Sequence, residues 1–145
     1  MKQILTKKKR LFIILIFSTV LYVSGQEKET YTLTVNISGL DSNKGTLIVG
    51  IYTNENDFLK NQFRSDVIKI KNNEAYVIFK NLAAGEYAVS FIHDENNNNK
   101  MDTNLFGIPK EKYGCSNNAR GFMGPPKYID AKFKLIKNRT IEISM

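Results

Sequence analysis

Apolar and polar residues alternate along most of this chain. In "YTLTVNIS", residues 31–38, Tyr31, Leu33, Val35 and Ile37 fall on one face, with Thr32, Thr34, Asn36 and Ser38 on the other. A period of two marks a half-buried strand. "TLIVGIYT", 46–53, is apolar on both faces and rich in β-branched residues, as a central strand is. "DVIKIK" (66–71), "EAYVIFK" (74–80) and "EYAVSFIH" (86–93) follow as short strands. "AKFKLIK" (131–137) and "RTIEISM" (139–145) read as a closing hairpin about Lys137 and Asn138. Turns rich in Gly, Asp, Ser and Asn, such as "GLDSNKG" at 39–45, separate the strands.

Seven short strands without a long amphipathic helix predict an all-β domain. The expected architecture is an immunoglobulin-like or transthyretin-like β-sandwich. "NENDFLKNQF", 54–63, is the one candidate for a helical turn, with Leu59 and Phe63 four apart. In "NLAAGEY", Leu82, Gly85 and Tyr87 resemble the turn before a late strand of such modules, where a tyrosine hydroxyl ties the corner. Residues 94–130 break the alternation. They hold Gly107, Gly114, Gly121, Gly124 and all three prolines, together with Phe106, Tyr113, Phe122 and Tyr128. The aromatic content argues for a long folded loop packed on the sandwich.

The N-terminus follows a different rule. "MKQILTKKKR" is basic, "LFIILIFSTVLYVS" is an apolar run, and "VSGQ" supplies small residues. The run is shorter than the roughly 20 residues of a spanning helix, so residues 1–25 read as a signal peptide cut after Gly25, the alternative being an uncleaved N-terminal anchor. Residues 26–145 then form one domain, exported to the periplasm, the outer surface or the medium, with no stable membrane span. This reading changes the charge argument. Of 21 basic residues five lie in the first 25 positions, leaving 16 against 14 acidic ones and a net charge of +2. The basic balance belongs to the leader and gives no ground for nucleic-acid binding. Cys115 is the only cysteine, which excludes an internal disulfide. It reads as a small loop residue, since no base lies near it in sequence.

Candidate chemistry concentrates in "HDENNNNKMDTNLFG", His93 to Gly107. Asp94, Asn96, Asn98 and Asp102 occupy positions 1, 3, 5 and 9 of an EF-hand-like spacing, and Lys100 at position 7 would offer its carbonyl. Oxygen donors in this alternation suit calcium. Leu105 stands where a bidentate glutamate normally completes the shell, so any site is weak unless Glu95, Glu111 or another loop contributes. The competing expectation is a polar turn stabilised by side-chain bonds to its own backbone. His93 shares strand parity with Tyr87, Val89 and Phe91, which predicts an inward position bonded to loop backbone or to a carboxylate. No second histidine exists to build a zinc site.

The stretch from His93 to Asp130 and Ala131 resembles an exported bacterial family of unknown function, family 2141. Its pattern runs through His93, Asp94, Asn96, Asn98 and Asp102, then Gly107, Ile108, Pro109 and Glu111. It continues through Gly114, Ser116, Asn117 and Asn118 to Pro126, Asp130 and Ala131. Cys115 departs from it, because the family pattern has an aromatic residue there. The resemblance implies an exported β-sandwich and no known activity.

Three functions compete. The first is a non-enzymatic exported module. It binds a glycan, peptide or envelope protein through the 103–130 loop, with Phe106, Glu111, Tyr113, Phe122 and Tyr128 as candidate contacts. The same aromatics would serve equally as a small satellite core. The second is a hydrolytic enzyme using His93, Asp94 and Glu111 as acid–base groups. The third is a purely structural envelope protein.

Overall fold

The structure is a computed structural model that describes residues 28–145. The expected signal peptide lies outside the described residues. Eight strands form: β1 (Thr30–Ser38), β2 (Thr46–Tyr52), β3 (Arg64–Lys69), β4 (Ala75–Ala83), β5 (Gly85–Asp94), β6 (Tyr113–Cys115), β7 (Phe133–Leu135) and β8 (Arg139–Ser144). A single helical turn, α1 (Tyr128–Ala131), precedes β7. The strands make a three-stranded sheet in the order β4-β1-β8 and a five-stranded sheet in the order β3-β2-β5-β6, in which β7 also pairs with β5. The all-β sandwich expected from the alternation is therefore present.

Alternation decides which residues meet between the sheets. Leu33, Val35 and Ile37 of β1 face Leu47, Val49 and Ile51 of β2 and Val89 and Phe91 of β5 in one buried cluster. Each fully buried side chain of this size is worth roughly 1.5–3 kcal/mol, so this cluster dominates the stability of the fold. The predicted corner forms as well: the Tyr87 hydroxyl donates to the Ala83 carbonyl at 2.9 Å, where the chain passes from one sheet to the other.

Three local expectations are corrected. The last two strands are not a hairpin. β7 pairs antiparallel with β5, whereas β8 pairs parallel with β1 in the opposite sheet. The chain crosses the sandwich at 136–138, and Asn138 Oδ1 accepts the Thr32 N–H at 2.8 Å, closing the crossover onto β1. Phe133 and Leu135 thus reach the core from one sheet, and Ile141 and Ile143 from the other. The 54–63 turn is anchored by buried Phe58, not by Leu59 and Phe63, which are exposed. Asp57 accepts the Asn61 N–H through its carbonyl, and Leu59 then takes a left-handed φ of 60°, so no further helical turn follows. The eighth strand, β6, lies inside the segment expected to be loop.

The outer face of the five-stranded sheet carries a second cluster. Tyr52 and Ala88 project outward from β2 and β5 and are covered by Phe58, Cys115, Tyr128 and Ala131. Tyr52, Phe58 and Tyr128 meet edge to face, with ring centroids 5.2 and 5.6 Å apart. The 115–131 half of the long loop is thereby fastened over the sheet.

Candidate functional site

Asp94 ends β5 and is fully buried. Its Oδ1 accepts the Asn98 N–H at 3.1 Å and its Oδ2 the Asn99 N–H at 2.7 Å. Asn97 and Asn99 take φ of 58° and 60°, the left-handed region that asparagine tolerates, which curls these N–H groups toward the carboxylate. The turn before β2 closes against the same strand end. His93 Nε2 donates to the Lys44 carbonyl at 2.8 Å. Gly45, with φ of 75°, lies so close to the Asp94 carbonyl that a Cβ would overlap it. Lys44 and Gly45 read in sequence only as turn residues. Their contact with β5 depends on the β2–β5 register, which no local pattern encodes.

Asp102 organises the far side of the loop. Its two oxygens accept the side-chain amides of Asn96 at 2.6 Å and Asn98 at 2.9 Å. The oxygens of these amides accept the Asn98 and Lys100 N–H groups at 3.0 and 2.8 Å. Glu111 joins the loop as well, since its Oε2 accepts the Asp102 N–H at 3.0 Å. Its other oxygen, Oε1, is buried and has no partner among the described residues. In this arrangement the donors expected for calcium bond to one another and to the backbone. Among the described residues no group of three His, Cys, Asp or Glu is placed to hold a metal ion. A cation at Asp102 would require the Asn96 and Asn98 amides to turn their oxygens inward.

Beyond the loop the chain forms an arm. Thr103 and Pro109 bridge, the Asn104 N–H donates to the Ile108 carbonyl, and Asn104 Oδ1 accepts the Phe106 and Ile108 N–H groups at 2.9 and 3.0 Å. Gly107 supplies the left-handed residue of the turn with φ of 76°. A second tight turn follows at Gly121–Gly124, with Met123 at φ 55°. These two turns carry the most exposed apolar side chains of the described chain: Leu105 at 101 %, Phe106 at 88 %, Phe122 at 93 % and Met123 at 94 %. Leu105 and Met123 carried no binding expectation from sequence, because an apolar residue in a loop reads equally as a core contact.

The remaining candidates separate. Tyr113 is half-exposed and lines a cleft of about 580 Å³ with Lys112, Arg120 and Ile143, between the edges of β6 and β8. Tyr128 does not join the exposed aromatics. It is buried under Phe58, and burial pushes its hydroxyl pKa up. Cys115 is buried beside it, and desolvation raises the thiol to about 12, which leaves no thiolate at neutral pH. The acid–base trio fares similarly. His93 and Asp94 are sealed in turns, and neither they nor Glu111 line this cleft.

The Ser-Asn-Asn segment has a structural role. Ser116 Oγ accepts the Val89 N–H at 2.9 Å and donates to the Ala131 carbonyl at 2.6 Å, filling the gap on β5 between β6 and β7. Asn117 Nδ2 donates to the Asp130 and Lys132 carbonyls, and Asn118 Oδ1 accepts the Ser144 N–H of β8. Gly114 is required for a packing reason: a Cβ there would meet the Phe91 ring at 2.6 Å. The motif residues thus clasp the long segment and leave its tips free.

Fold and clasp together define a two-sheet β module with a braced, projecting loop. Residues 35–144 match the family described as "Uncharacterized protein conserved in bacteria (DUF2141)", and the chain belongs to that family. No curated protein and no solved structure gives a significant match. Among the described residues no helix is long and apolar enough to cross a membrane.

Proposed function

We propose that this protein is an exported, non-enzymatic binding module that meets another component of the cell envelope through the tips of its long loop. One observation carries the reading: Leu105, Phe106, Phe122 and Met123 are almost wholly exposed, the first two on a turn that Asn104 braces by hydrogen bonds and the other two on a bend where Gly121 packs against the Gly124 carbonyl. Solvent-facing apolar side chains on a rigid support lose little entropy on binding and gain burial. Residues 1–25, read as a signal peptide, support delivery to the envelope. Sealed His93 and Asp94 and a protonated Cys115 speak against the hydrolytic alternative.

The test is capture of envelope components on immobilised protein, comparing the wild type with Phe106→Ala/Phe122→Ala. Retention by the wild type and loss by the double variant, with unchanged melting, is the expected result. Equal retention would place the contact elsewhere on the domain.

A second reading concerns the 94–102 loop. The buried, unpartnered Glu111 Oε1 supports a weak calcium site in which Glu111 supplies the carboxylate missing at Leu105, beside Asp94, Asn96, Asn98, the Lys100 carbonyl and Asp102. Calorimetry at ~10 mM calcium should then detect binding that Glu111→Gln and Asp102→Ala each remove. Heat indistinguishable from dilution would leave a purely hydrogen-bonded turn.

A further inference from the structure

We infer that the component met by the two loop tips is the surface of an anionic phospholipid bilayer. This deepens the binding-module reading and rests on it. Each apolar tip is bracketed by exposed cations: Lys100 and Lys110 around Leu105–Phe106, and Arg120 and Lys127 around Phe122–Met123. The ion pairs among the described residues are Lys112 with Asp41 and Lys132 with Glu86, so these four cations make none there. Acidic residues of the same stretch are tied inward, Asp102 to Asn96 and Asn98, and Glu111 to the Asp102 N–H.

The two arms share a root. The first returns into β6 through Lys112 and Tyr113, the second leaves through Arg120 and Gly121, and all four residues line one cleft. The tips therefore spring from one edge of the sandwich. Exposed apolar side chains flanked along the chain by exposed cations match a bilayer interface. Acyl chains accept the apolar groups at the depth of the headgroups, and lipid phosphates meet the charges. A protein partner would need a complementary groove for each tip, whereas a lipid surface needs none.

Residues 26–145 contain both sheets and both buried clusters, and circular dichroism of each variant checks the fold. The chain has no tryptophan, so Phe106→Trp provides a single fluorophore. Its emission should shift to the blue on adding phosphatidylglycerol-containing vesicles, and far less with phosphatidylcholine alone. In co-sedimentation, Leu105→Ser/Phe106→Ser and Phe122→Ser/Met123→Ser should each weaken partitioning by tenfold or more. Lys100→Ala/Lys110→Ala should weaken it roughly tenfold, and ~0.5 M sodium chloride should reduce wild-type binding. Absence of wild-type sedimentation with anionic vesicles overturns the lipid inference. So does sedimentation that the tip variants leave unchanged. If an envelope protein is instead captured in a manner dependent on Phe106 and Phe122, the module reading stands and the lipid inference falls. If tip variants change neither assay, both fall.

Discussion

The Asp94 carboxylate and the Asn99 N–H lie 2.7 Å apart, and the same carboxylate also holds the Asn98 N–H. A buried carboxylate bonded to two backbone donors turns the end of β5 into the start of the loop. Asp94→Ala strands the Asn99 N–H and leaves the Asn98 N–H with only its bond to Asn96 Oδ1. The expected loss is about 2–4 kcal/mol, read by urea denaturation in the presence of a chelator. Asp94→Asn keeps one acceptor oxygen and should lose about half as much. Wild-type stability in the alanine variant would mean that water satisfies these donors equally well.

Ser116 should matter more than a small polar residue ordinarily does. Its hydroxyl bonds β5 and the end of α1 at once, and Ser116→Ala leaves the Val89 N–H and the Ala131 carbonyl without it. The expected cost is about 2 kcal/mol, or a melting point lowered by roughly 5–10 °C. Hydrogen exchange at Val89 gives the sharper reading, because its amide should lose protection more than its neighbours in β5. Uniform loss across β5 would point to general destabilisation instead of a local bond.

Period-two patterning made β1 and β4 legible, because one face of each packs in the sandwich, and apolar runs marked β2 and β5, which are covered on both faces. The same pattern could not say which sheet a strand joins. β7 and β8 both alternate, yet only tertiary pairing decides that Phe133 and Ile141 approach the core from opposite sides. β6 stayed hidden because three residues, one of them a glycine placed against Phe91, carry no period. The loop was legible as chemistry but not as arrangement. Asp94, Asn96, Asn98 and Asp102 have oxygens at the spacing of a cation site, and that spacing equally allows each amide to donate to a carboxylate. Tyr128 and Phe122 looked alike in sequence. Phe58, seventy positions before Tyr128, buries the one and not the other.

Tyr87 tests the corner. Its hydroxyl bond to the Ala83 carbonyl spans the passage between sheets, while its ring belongs to the main cluster. Tyr87→Phe keeps the ring and removes the bond, so stability should fall by about 1 kcal/mol. Tyr87→Ala also empties a core position and should cost about 3–5 kcal/mol. If phenylalanine proved as damaging as alanine, the hydroxyl would be positioning more than the corner.

Cys115 should govern the response to alkali. Burial against Tyr52, Phe58 and Tyr128 raises the folded thiol from 9.0 to about 12. Between those values the unfolded chain releases the proton while the folded chain keeps it. The unfolded state then binds fewer protons, so stability is fully present below about pH 9 and declines as pH rises toward 12. Each tenfold change in proton affinity is worth about 1.4 kcal/mol, so the loss is at most about 4 kcal/mol. Cys115→Ala removes the titrating group, at a cost of about 1 kcal/mol for the small cavity at neutral pH. Urea unfolding from about pH 8 to pH 11 should therefore give a shallower decline for the variant than for the wild type. Some slope should persist, because burial also raises Tyr52 in the same cluster. A native thiol held this way should resist a thiol reagent at about pH 8 and react at once in urea. Rapid labelling of the folded protein, or parallel stability curves, would show that the cluster opens readily around Cys115.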